Sequence, residues 1–194
     1  TSTYAVYRHD IGMLFLLGNK DIVSFERNMQ EAIQLKQMCS DESDCNYSKM
    51  CYADGLNYYA SSQPFPKNLQ YYEKAILIYE SIPYYESLER YHLSLNDLSV
   101  LYKDVNISKS IDLSHKLLKA QKSVSFSSID SLKVNSNISA FYLENGDYEE
   151  ALYYNNIVLN ARESQIPPDY DKIRISNSRA ASIYCRLNNY EKAI

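Results

Sequence analysis

The sequence predicts an all-α fold, a right-handed α-solenoid of antiparallel helical hairpins, and three observations lead there. The chain carries only 4 Gly and 5 Pro in 194 residues, too few for the many tight turns of a β-fold but enough for long helices joined by short loops. Apolar residues recur at helical spacing, as in Tyr72, Ala75, Ile76 and Tyr79, the i, i+3, i+4, i+7 stripe of a half-buried helix. A pattern of turn and aromatic residues also returns at a nearly constant interval, the mark of a repeat architecture.

The interval is clearest in the last third. Leu143-Glu144-Asn145-Gly146-Asp147-Tyr148-Glu149-Glu150-Ala151-Leu152 aligns with Arg186-Leu187-Asn188-Asn189-Tyr190-Glu191-Lys192-Ala193-Ile194 when one residue is omitted at the turn. Each segment reads as a hairpin turn, in which Gly or Asn ends the first helix and Asp or Asn caps the second. The Ala that follows allows the two helices to approach. Carrying this register backwards marks Leu14, Tyr58, Tyr102, Tyr142 and Tyr184 as the last large residues before each turn, at spacings of 44, 44, 40 and 42.

These anchors predict helices over 4–17, 20–38, 46–61, 67–82, 86–103, 107–122, 129–144, 148–163, 170–187 and from 190 onward. That is one domain over 1–194, of about four and a half hairpins. Pro64-Phe65-Pro66, Pro83 and Pro167-Pro168 fall between these spans, where proline breaks no helix interior. In the third hairpin Val105-Asn106-Ile107-Ser108 replaces the Gly-Asp-Tyr turn, and Ile111 takes the small-residue position. Thr1 without a preceding Met and Ile194 one turn into a helix give the expectation that the sequence is a fragment of a longer protein.

Composition narrows the function. A net charge of −4 and the absence of any basic cluster argue against a nucleic-acid surface, which needs grouped Lys and Arg. The longest apolar run, Ile11 to Leu17, is far short of the roughly 20 residues that span a bilayer. Cys39, Cys45, Cys51 and Cys185 lack metal-ligand spacing. Cys39 and Cys45 bracket the segment Ser40-Asp41-Glu42-Ser43-Asp44, which reads as a loop and would let them bridge, with an extracytoplasmic location to follow. Free thiols used as small apolar fillers are the expected alternative.

His9, His92 and His115 lie on three different hairpins, where surface or groove-edge positions account for them better than ligation or catalysis. No glycine-rich phosphate loop and no facing carboxylate pair is evident. The 20 Tyr without Trp read as packing residues rather than a stacking platform for sugars or bases. Richness in Tyr, Asn, Lys, Ser and Ile points to an AT-rich bacterial genome, in which the sequons at Asn46, Asn106 and Asn137 carry little weight.

The motif residues Ile138, Ser139, Tyr142, Gly146, Asp147, Tyr148 and Ala151, with Ala180, Ala181, Tyr184, Asn188, Tyr190 and Ala193 as a second copy, resemble the tetratricopeptide repeat (TPR) family. Leu98, Ser99 and Tyr102 give a partial third copy, and Tyr72-Glu73-Lys74-Ala75 followed by Tyr79 resembles a second helix of the motif. The family's usual unit is about 34 residues, so the longer units here resemble the extended repeats of some motor light chains and of bacterial, Bacteroidetes-like regulatory or signalling proteins. The resemblance implies a superhelix whose concave groove, lined by the first helix of each hairpin, holds a protein or peptide.

Projecting the family's groove positions gives Arg8, Phe15, Tyr52, Tyr59, Asn96, Lys103, Ser136, Leu143, Ser178 and Arg186 as candidate binding residues. The Lys, Asn and Arg clamp of chaperone-binding members is not matched, since Gly12, Leu56 and Val100 stand at its positions. The function expected is therefore a non-catalytic binding scaffold with no cofactor, the sensory or interaction region of a bacterial regulatory protein. A self-associating structural adaptor, dimerising through the C-terminal hairpin, and a small-ligand-binding or enzymatic superhelix stand as alternatives. The compartment, cytoplasmic or periplasmic, depends on flanking sequence.

Overall fold

The structure, a computed structural model, describes residues 8–10, 12–38, 42–124 and 129–193, and among them it is helical without strands. Helix α1 runs through residues 12–14 into a π-helical turn, Phe15–Asn19. It is followed by α2 (Ile22–Met38), α3 (Glu42–Ser61), α4 (Lys67–Glu80), α5 (Glu89–Tyr102), α6 (Ile107–Gln121), α7 (Ser131–Asn145), α8 (Tyr148–Glu163) and α9 (Tyr170–Arg186), with short 3₁₀ turns at Tyr85–Ser87 and Tyr190–Lys192. The chain divides into two compact units, residues 1–94 and 95–194.

In the first unit α3 packs on α2 and α4. Its core is built from Leu16, Phe25, Met29, Leu56, Ile76, Tyr79, Ile82 and Tyr91. Helix α3 approaches the preceding helices so closely that a Cβ at Gly55 would lie 2.2 Å from the Phe25 ring and 2.9 Å from Leu16. Ala75 of α4 is likewise fully enclosed. In the second unit α6, α7, α8 and α9 pack each on the next, around Leu98, Leu117, Ile138, Phe141, Val158 and Ile183. Ser139 of α7 and Ala151 of α8 are both fully buried, and the Ser139 hydroxyl donates to the Ala151 carbonyl at 2.8 Å.

The helix ends explain themselves locally. Side chains of Asp21, Asn106, Asp130 and Asp169 accept from the backbone N–H of Ser24, Lys109, Leu132 and Lys172 and so satisfy the first turns of α2, α6, α7 and α9. Asp147 does not cap α8 as expected, because its carboxylate accepts instead from the Asn145 amide. Helix α7 stops at Gly146, whose φ of +93° is left-handed; the Gly146 and Asp147 N–H groups turn back to Leu143 and Tyr142. Asn188, at φ +56°, repeats this at the end of α9, with bonds from Asn188 and Asn189 to Cys185 and Tyr184.

Both ends have the paired 6→1 and 5→2 bonds of one C-capping motif, which shows that the two copies align without the omitted residue, at a constant offset of 42.

Other expectations need correction. Helix α3 begins at Glu42, so the residues from Glu42 to Asp44 are helical rather than a loop. Cys39 lies outside the described residues; Cys45 is buried, with its thiol directed at the Ile33 carbonyl. Leu14 and Tyr58, taken as the last large residues before their turns, are 70% and 49% exposed. The buried residues in those places are Leu16 and Tyr59, giving intervals of 43 and 43 up to Tyr102. The π turn of α1 holds more residues per turn than an α-helix, and a slip of one residue rotates a helical side chain by about 100°.

Candidate functional site: the faces of the first helices

The first helix of each hairpin buries one stripe and leaves another open, and the open stripe is the candidate contact surface. On α3 that stripe carries the exposed Tyr47 and Tyr58, at i and i+11, with the half-buried Asp54 between them at i+7, positions that return to the same side of a helix. Tyr47 is 52% exposed and its ring tilts against His9 at 5.8 Å.

Behind the two open tyrosines lies a hydrogen-bonded cluster. The Tyr79 hydroxyl donates to the Asp54 carboxylate in a short bond, and the Asn57 amide donates to Tyr79 at 3.0 Å and to Ser94. Burial raises the Asp54 pKa, against the opposing effects of the Tyr79 hydroxyl and the Arg90 charge. Burial and the neighbouring carboxylate push the Tyr79 phenol far up, so it stays a donor.

The ten residues projected from the sequence fall into different settings. Arg8 is held by Glu31 at 2.9 Å and Asn28 at 3.0 Å, and Phe15 is half-buried in the π turn. Tyr52 and Tyr59 are only 3% and 7% exposed. Tyr52 packs edge-on to Phe25, donates to Glu26 at 3.4 Å and lies beneath Lys74, which itself pairs with Glu26. Tyr59 meets Tyr71 edge-on at 4.9 Å. Both tyrosines serve helix packing, a consequence of the one-residue phase slip in α3.

Asn96 is half-buried and bonded to Asp97, while Lys103 pairs with Glu144 at 2.8 Å, a contact that raises the lysine pKa. Glu144 adjoins the half-buried Leu143. Ser136 is engaged by Arg179, which donates to its carbonyl at 2.9 Å and its hydroxyl at 3.0 Å. Ser178 and Arg186 are exposed, and the ungapped register puts Cys185, not Arg186, in the place that corresponds to Leu143. Of the three clamp positions, Gly12 and Leu56 are buried while Val100 is exposed.

The histidines are more interior than expected. His92 is fully buried with Nε2 at 2.8 Å from the Glu86 carbonyl, which the 3₁₀ turn at Tyr85–Ser87 brings over its ring. His115 is half-buried, sits 3.0 Å from the Tyr142 hydroxyl beside the stacked Tyr142 and Tyr154 rings, and has its pKa lowered by burial. This cluster borders a cleft of about 500 Å³ lined by Leu118, Lys119, Asn135 and Ile157. Among the described residues no group of three His, Cys, Asp or Glu is placed to hold a metal ion, and no helix is long and apolar enough to cross a membrane.

Tyr47, Asp54 and Tyr58 were missing from the projected set, although their i, i+7, i+11 spacing was readable.

The fold is that of the TPR-like helical repeats. BtubC (BKLC) from P. vanneervenii is similar with a TM-score of 0.58 and 13% identity, over 99% of this chain and 85% of that one. A Podospora anserina protein of nearly identical TPR-like repeats is similar with a TM-score of 0.54 and 13% identity, over 100% of this chain and 91% of that one. A signal transduction ATPase with numerous domains from Pyrococcus horikoshii, which carries a tetratricopeptide repeat sensor, has a TM-score of 0.57 and 16% identity. That match covers 99% of this chain but 28% of the ATPase. The sequence matches no family model and no curated protein.

Two predictions follow from the geometry of α3. Tyr59→Ala opens a cavity beside Tyr71 and is expected to destabilise the protein by about 3 kcal/mol, measured by chemical denaturation; an unchanged midpoint would return Tyr59 to the open face. Asp54→Asn removes a carboxyl whose folded pKa is raised. In the native protein this group binds protons more readily than in the unfolded chain, so its contribution to stability is fully present below the ordinary carboxylate pKa and is lost as pH rises through the raised value. Asp54→Asn should therefore gain stability relative to wild type at pH 7, and the gain should shrink on acidification. A difference that is constant with pH would contradict this.

Proposed function

We propose that this chain is a non-catalytic scaffold that binds a protein or peptide on the open faces of its first helices. The observation that carries the reading is the pair Tyr47 and Tyr58, half exposed on one side of α3, on either side of a polar cluster that is already hydrogen-bonded. Tyrosine offers a large, stiff, amphipathic surface at small entropic cost, the property that enriches it at recognition surfaces. The fold supports the reading, since helical-repeat architectures present such faces in series. The presence of a TPR sensor in the Pyrococcus ATPase favours the narrower version, a sensory region of a regulatory or signalling protein.

Pull-down with wild type and with the double variant Tyr47→Ala and Tyr58→Ala tests it. Bound partners should be lost from the variant while its circular dichroism melting curve stays close to that of wild type. An identical bound set would overturn the assignment.

A second reading, self-association through the last helix, is favoured by Tyr170, Ile175 and Tyr190, all exposed in or beside α9. Light scattering should then show a dimer that Ile175→Glu dissociates, and a concentration-independent monomer would remove it.

A further inference from the structure

Helices α8 and α9 hold two arginines, Arg162 buried and Arg179 half-buried, that meet no carboxylate among the described residues, and we propose that Arg179, backed by Arg162, forms an oxyanion site on the second unit, taking a carboxylate or a phosphate. Arg179 reaches from α9 to α7, where its Nη1 donates to the Ser136 carbonyl at 2.9 Å and hydroxyl at 3.0 Å. These two bonds engage Nη1 and leave the Nε and Nη2 donors of a five-donor fork without a protein acceptor among the described residues. None of those donors is among the enclosed unpartnered atoms, so they reach solvent.

Arg162, only 9% exposed, donates Nη1 to the Lys172 carbonyl and the Ser176 hydroxyl, each at 2.9 Å. Ser176 and Arg179 are one turn apart on α9, so the two guanidinium groups are brought to the same region. Among the described residues neither arginine has an acid within ion-pair distance. The acid that feels Arg162, Asp169, is taken up by the Lys172 ammonium at 2.8 Å and by the α9 cap.

Two neighbouring cations, one buried and one half-buried, are costly without a counter-charge, and an anion supplied from outside offsets that cost. Burial and the Arg162 charge together lower the Arg179 pKa, as expected for cations held together. The planar guanidinium suits the paired oxygens of a carboxylate or phosphate and gives strong charge-assisted bonds. The site stands whether or not the α3 tyrosines bind a peptide.

Titration of the 194-residue chain with inorganic phosphate, followed by backbone and arginine side-chain NMR, tests it. Saturable shifts at Ser136, Ser176 and Arg179 are expected, with affinity reduced about tenfold in Arg179→Gln by the loss of a charge-assisted contact. Arg179→Lys keeps the charge but not the fork, and should weaken binding in the same direction even if the glutamine variant fails to fold. Competition by acetate assigns the site to carboxylates, and its absence assigns it to phosphate groups; either supports an oxyanion at Arg179. Shifts that never saturate, that spread over the surface lysines, or that are unchanged in the variants overturn it.

Discussion

The close approach of helices at small residues is the constraint on which the rest of this structure depends. Gly55 lets α3 press against Phe25 of α2 and Leu16 of α1, and Gly12 brings α1 within 3.2 Å of the Asn28 Cβ for any added methyl. In the second unit Ser139 and Ala151 hold α7 and α8 at the same kind of contact, with the serine hydroxyl bonded to the facing carbonyl. Close-packed interiors have no slack to absorb a larger group at such points. Once these contacts set the spacing of neighbouring helices, the buried stripe of each helix is fixed, and so is the stripe left exposed.

Tyrosine solves the remaining problem of closing these layers with polar tips accounted for. Its ring fills the interior while its hydroxyl reaches a partner on a neighbouring segment: Tyr79 to Asp54, Tyr91 to Glu80, Tyr52 to Glu26 and Tyr142 to His115. Buried polar side chains of the second unit behave alike, with Asn155 and Arg162 of α8 both tied to Ser176 of α9. The abundance of tyrosine is therefore part of the packing, and a few, Tyr47 and Tyr58 among them, face outward instead.

Much of this was legible in the residues because the final two copies repeat their turn chemistry. Gly146 and Asn188 are among the few residue types that accept a left-handed backbone at low cost, so both helix ends are legible in the sequence. What the sequence hid was phase. Nothing in the run from Leu14 to Asn19 announces a π turn, and an aromatic residue looks the same whether it faces the core, as Tyr59 does, or solvent, as Tyr58 does. In α3 the register counted back from Tyr102 falls one residue short of the buried Tyr59, and the projected groove residues Tyr52 and Tyr59 lie in the core. His92 was hidden for a different reason, since its partner is a backbone carbonyl in a turn with no sequence signature.

The most direct measurement of the central constraint is the thermal stability of Gly55→Ala. Helix propensity alone favours alanine within α3 by about 1 kcal/mol, whereas the added Cβ would lie 2.2 Å from the enclosed Phe25 ring, an overpacking that costs about 1 to 3 kcal/mol. If helix spacing is set at this glycine, the midpoint falls; a midpoint that is unchanged or raised would contradict the account.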